Sequence, residues 1–226
     1  PDVVVHLATH FLSSHEPRDI PDLVRVNVEW GAVVAEAASR AGARLVTVGT
    51  AWQHFEGRNY DPVSLYAATK QAYDDIVTYY AAVQGLDVCR VTLFDTYGPG
   101  DTRPKLVPAL LDAALSGEAL SMSDGGQLID LTYVTDVARG IVGVALDSTG
   151  EDEVVLRSWH PVTVRHLVDE VSAVTGRQVP VRWGVRPERP REMREDWVFG
   201  AGPTGWQPMV DLREGLERCW RARTGG

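Results

Sequence analysis

Cysteine is scarce in this sequence: Cys89 and Cys219 are the only two in 226 residues. They lie far apart and match no metal-ligand spacing. They read as reduced thiols of a cytoplasmic protein, although a bridge between them stays open on sequence grounds. No pair of the six histidines stands at ligand spacing with an acid, so no metal site is expected. Basic residues are in deficit, 22 Lys and Arg against 31 Asp and Glu, for a net charge of −9. That balance disfavours a general binder of nucleic acid or anionic membrane, though a local basic pocket for a phosphate remains compatible with it. No apolar run reaches membrane-spanning length, and no signal peptide is expected.

What is present is ordinary globular material, 44% hydrophobic and 23% charged, enough for a sizeable core. Strand-like and helix-like stretches alternate. "VVVHLA" (3–8), "RLVTVGT" (44–50) and "DVCRVTLFD" (87–95) read as strands. Helical patterns at 21–40, 65–83 and 105–115 follow them. This βαβαβα order predicts a parallel sheet covered by helices. Beyond residue 115 short strands mix with helices near 134–146, 163–175 and 211–221. The division expected is a cofactor-binding part over 1–115 and a smaller, mainly substrate-binding α/β lobe over 116–226. Ligands of open parallel sheets bind at the carboxyl ends of the strands, here Leu7 to His10, Gly49 to Trp52 and Phe94 to Tyr97.

The segment "SLYAATKQAYDD" (64–75) carries chemistry. Tyr66 and Lys70 stand four apart, on one face of a helix. An ammonium beside a phenol favours the phenolate and lowers its pKa, which suits a proton donor and acceptor for a hydroxyl or ketone. Thr50 ends the second strand, where its hydroxyl can donate to a substrate oxygen. Together the three make a layout for hydride transfer at a carbinol or ketone.

The ordered set "VVVHLAT", "RLVTVGTAW", "YAATK", "DTYGPGD", "RPKLVPALL", "GGQLIDLTYVTDVA", "HPVTVRHLVDEV" and "TGWQPMVDLREGL" spans nearly the whole chain. It resembles the extended short-chain dehydrogenase/reductases of the NAD-dependent epimerase/dehydratase family. The resemblance implies a Rossmann-type fold, NAD or NADP as cofactor, a nucleotide-activated sugar as substrate, and a homodimer through the helices at 21–40 and 65–83. It places Thr50, Tyr66 and Lys70 on the catalytic Ser/Thr, Tyr and Lys. It puts Leu7, Ala8, Thr9, Val48 and Phe94, with Tyr66 and Lys70, against the cofactor. Thr50, Ala51, Trp52, Asp95, Lys105 and Val107 fall against the substrate.

Departures from the family pattern sharpen the reading. The fingerprint G-x-x-G-x-x-G, which would precede "VVVHLA", is not in the sequence. Its glycines and helix N-terminus hold the cofactor pyrophosphate. The expectation is an N-terminally truncated chain whose sheet lacks its first strands, with "VVVHLA" left as an exposed apolar edge. Ile129 stands where the family often has an Arg on the substrate diphosphate, and Asp95 where it often has Asn. Ala51 and Trp52 occupy the positions of the acidic pair that performs water elimination in the 4,6-dehydratases. What remains is hydride chemistry at C4, as epimerisation or as reduction of a 4-keto sugar. "HLAT", "YGPGD" and "REM…GWQP" resemble the CDP-abequose synthase-like reductases most. A non-catalytic dehydrogenase-like binding protein is the alternative.

Overall fold

A computed structural model of the chain describes residues 1–146 and 150–225. In chain order the elements are β1 (Val3–His6), α1 (Ile20–Val24), α2 (Trp30–Ala41), β2 (Arg44–Thr50), α3 (Leu65–Gln84), β3 (Val88–Leu93), β4 (Asp95–Tyr97) and α4 (Leu106–Ser116). They continue with β5 (Leu120–Ser121), β6 (Leu128–Ile129), β7 (Leu131–Tyr133), α5 (Val134–Leu146), β8 (Glu153–Leu156), β9 (Val162–Thr163), α6 (Val164–Thr175), β10 (Val181–Arg182) and α7 (Leu212–Thr224). No helix of the described residues is long and apolar enough to cross a membrane.

Two units interleave along the chain. The first takes Pro1–Phe94, Arg139–Leu156 and Trp197–Trp206. Its centre is a parallel sheet of order β1-β2-β3-β8. β2 is buried at Leu45, Val46 and Thr47 in succession, the continuous burial that a parallel strand covered on both faces requires. On one face α2 and α3 close a core of Ala35, Ala38, Leu45, Tyr73, Val77, Leu86 and Val88. Against β8 it is α5 that packs closely, since a Cβ on Gly140 would lie 2.7 Å from Leu156 Cδ1. Among the described residues β1 pairs with β2 alone, and Leu7 beyond it is 57% exposed.

The helix expected over 21–40 is interrupted. A π-helical turn, Arg25–Glu29, separates α1 from α2. Such turns are tolerated where a side chain has to be aimed, and the residue inside it, Asn27, is buried. The single strand expected over 87–95 likewise divides. β3 stays in the main sheet, whereas β4 pairs with β7.

The second unit takes Asp95–Ala138, Arg157–Asp196 and Gln207–Gly226, so α4, inside the first 115 residues, belongs to it. Its core joins α4, α6 and α7 to β4 and β7 through Leu110, Leu111, Tyr97, Tyr133, Leu167, Val171 and Leu216. Asp211 caps α7 by accepting from Glu214 N at 2.8 Å. Asp136 accepts from the backbone of both Met209 and Val210 at 2.9 Å. The Asp130 carboxylate is fully buried and holds Arg157 Nε at 2.8 Å and Ser158 N at 2.7 Å.

Candidate active site

Ser64 starts α3 by accepting from Ala67 N at 3.2 Å, and Gly85 in the left-handed region ends it. Tyr66 lies in the first turn and Lys70 one turn on. Both are buried, at 8% and 4% exposure. Burial holds the Lys70 pKa down, against the opposing pull of the Asp74 carboxylate. Asp74 itself is pushed up by burial, against its bond from Gln53 and the charges of Lys70 and Arg90.

Thr50 closes β2 and caps the 3-10 turn Ala51–Gln53. Its Oγ1 accepts from Trp52 N at 3.3 Å. That use takes a lone pair and leaves the O–H to donate elsewhere. Gln53 fastens the turn to α3, since its Oε1 accepts from Thr50 N at 2.9 Å while its Nε2 donates to Asp74 Oδ2 at 2.9 Å and Gln71 Oε1 at 3.0 Å. Thr50 is thereby tied to the helix that carries Tyr66 and Lys70. Ala51 is buried. Trp52 faces Phe11, and Phe11 meets the Tyr66 ring edge-on at 5.1 Å between centroids.

The segment after β1 is anchored by Asn27. Its Oδ1 accepts from Thr9 Oγ1 at 3.0 Å and His10 N at 2.7 Å. Its Nδ2 donates to His10 O and to Thr69 Oγ1, both at 3.0 Å. The strand ends behind Leu7, Ala8 and Thr9 and the helix of Tyr66 therefore share one carboxamide. Val48, partly buried, points to the sheet face opposite Thr47. Phe94 follows β3 and stacks on Phe199 at 5.6 Å, and Phe199 meets His54 at 4.6 Å.

In the second unit, Asp95 and Lys105 influence one another electrostatically. Burial raises the Asp95 pKa while Lys105 and Arg189 oppose the rise. Burial lowers that of Lys105, whose Nζ reaches Thr96 O at 3.5 Å. Val107, in the first turn of α4, lines a cavity with Pro99, Leu111 and Cys219. Ile129 pairs through β6 with Val162 and packs on the second core. Arg103 is engaged by Asp101 at 2.7 Å.

Sequence reasoning missed Asn27, Gln53, Phe11 and Phe199. Asn27 and Gln53 are polar residues inside apolar surroundings, a signal that marks burial with partners without saying which partners. No group of metal-ligating side chains occurs among the described residues.

An open parallel sheet of order β1-β2-β3-β8 with helices packed on it is a Rossmann-type architecture. The profile of the NAD dependent epimerase/dehydratase family matches residues 1–155, and the chain belongs to that family. It is 33% identical over 183 residues to the dTDP-glucose 4,6-dehydratase of Xanthomonas campestris pv. campestris, covering 75% of this chain and 52% of that one. It is 25% identical over 174 residues to the CDP-abequose synthase of Yersinia pseudotuberculosis, covering 76% of this chain and 60% of that one. The match thus spans about half to three-fifths of these relatives' length. Among solved structures, MoeE5 in complex with UDP-glucose and NAD superposes with a TM-score of 0.84 at 25% identity, over 100% of this chain and 80% of that one.

Proposed function

We propose that the chain carries the reaction centre of an NAD(P)-dependent nucleotide-sugar epimerase or 4-keto sugar reductase. The observation that carries the reading is the buried pair Tyr66 and Lys70, one turn apart on α3 and tied through Gln53 to Thr50. The nicotinamide cofactor, when bound, supplies the hydride acceptor and donor. The residues present fit it. Leu7 and Ala8 offer exposed backbone and small or apolar surface beyond β1, and Lys70 offers an ammonium for a ribose diol.

In this reading Thr50 donates its O–H to the reacting sugar oxygen and orients it. Tyr66 takes the proton from the sugar hydroxyl, or returns it to the carbonyl oxygen. Lys70 stabilises the phenolate through its charge. Trp52 and Phe11 exclude water around the phenol. Asp95, Lys105 and Val107 meet the nucleotide part, with Lys105 as the cation for the diphosphate. Elimination at C5–C6 is disfavoured because Ala51 and Trp52 supply neither acid nor base.

Tyr66→Phe in the whole protein tests the assignment. Turnover is expected to vanish with the circular dichroism and melting curve unchanged, and retained turnover would remove Tyr66 from its role.

A homodimer through α2 and α3 belongs to the same proposal. Trp30 and Val33 on α2, and Tyr79 and Val83 on α3, are each more than half exposed. At these spacings they form apolar stripes on two helices that pack together.

A further inference from the structure

Four polar side-chain atoms on one face of the first unit's sheet are buried without a hydrogen-bond partner. They are both ring nitrogens of His6, Oγ1 of Thr47 and Oη of Tyr73. The three residues are 6%, 1% and 1% exposed. An unmet buried polar group costs about 1–3 kcal/mol, so a cluster of them asks for a reason.

The register accounts for the cluster. His6 on β1 stands beside Thr47 on β2. Thr47 follows Leu45 by two residues, and Leu45 shares a core with Tyr73, so Thr47 points to the face covered by α2 and α3. The Tyr73 ring meets His6 edge-on at 5.2 Å, and Lys70 Nζ lies 5.9 Å from the Tyr73 ring centroid. A Cβ on Gly31 would fall 2.6 Å from Tyr73 Cδ2, so α2 admits this ring only because glycine stands there.

We propose that His6, Thr47 and Tyr73 form an internal polar pocket that takes up water behind Lys70 and positions its ammonium for Tyr66, with His6 as the titrating member. The inference rests on the reading of Lys70 as the partner of Tyr66. Water is the occupant whose chemistry fits, because one molecule satisfies two to four donors and acceptors.

The titratable groups facing the pocket are His6 from β1 and Lys70, Tyr73 and Asp74 from α3; the 3-10 turn adds the neutral Gln53 and α2 adds Gly31. Burial, and secondarily Lys70, hold the His6 pKa below its ordinary value, so the ring is neutral at neutral pH. When His6 does protonate, it places a second cation beside Lys70. The pocket then loses its hold on the ammonium, and activity falls on the acid side.

The test is a histidine-ring NMR titration of this chain, with the His6 signal assigned by its loss in His6→Gln. Lys70→Met is expected to shift the His6 titration to higher pH, while Lys70→Arg leaves it in place. Tyr73→Phe and Thr47→Val are expected to lower the melting temperature, because each removes a group bonded through water. In the whole protein Tyr73→Phe is expected to lower kcat about tenfold, part of a positioned acid/base contribution, with KM kept and the acid limb displaced. An unmoved His6 titration in Lys70→Met, or a gain in stability in Tyr73→Phe and Thr47→Val, overturns the inference. Those results are independent of Tyr66→Phe, whose retained turnover would instead overturn the proposed function.

Discussion

Asn27 donates its side-chain Nδ2 to Thr69 Oγ1 at 3.0 Å across 42 residues of sequence, in full burial. The same carboxamide holds Thr9 and both backbone groups of His10. One residue thus clamps the segment after β1 to the helix that carries Tyr66 and Lys70, and the π-helical turn around it is what aims it there.

Replacing Asn27 by Leu strands the His10 backbone and removes the donor to Thr69 Oγ1, which keeps its own bond to Tyr66 O at 2.8 Å. The expected loss is about 3 kcal/mol, from unmet buried donors and acceptors, read by urea denaturation. A loss below about 0.5 kcal/mol, the size of an ordinary surface substitution, would mean that the segment holds its place without the clamp.

Arg157 and Asp130 form a buried ion pair, at 1% and 0% side-chain exposure. Arg157→Leu alone should cost about 3–5 kcal/mol, because the Asp130 charge is left uncompensated. Replacing Asp130 by Asn as well should recover part of that cost in a double-mutant cycle. Simple additivity of the two changes would show that the pair is not coupled.

Asp95 brings a carboxylate to the position proposed to meet the diphosphate. Asp95→Asn should strengthen binding of UDP about fivefold, near 1 kcal/mol, by removing like-charge repulsion. Titration calorimetry at two salt concentrations checks it. An unchanged affinity would move the diphosphate away from Asp95.

Stability should fall on mild acidification, and the sign follows from His6. Its folded pKa lies below the ordinary histidine value of 6.5, so the unfolded chain takes up the proton first. The contribution is complete above 6.5 and is lost as pH falls through the folded value. His6→Phe should flatten that part of the melting-temperature profile.

Val33→Arg should convert a homodimer to monomer in gel filtration, because it sets a charge in the exposed stripe of α2. Monomer already in the unsubstituted whole protein would remove α2 and α3 as the interface.

Much of the sheet, and the placing of Tyr66 and Lys70 on one helix, was legible in the sequence, because both depend on short periods. Alternating strand and helix patterns gave β1, β2, β3 and α3 their places, and a four-residue spacing put Tyr66 beneath Lys70 on one helical face. Tertiary structure alone decided the rest. Asn27 meets partners 17 and 42 residues away, Gln53 reaches 21 residues to Asp74, and His6 meets Thr47 only through strand register. Local propensity carries no information about such meetings. Burial and register create them.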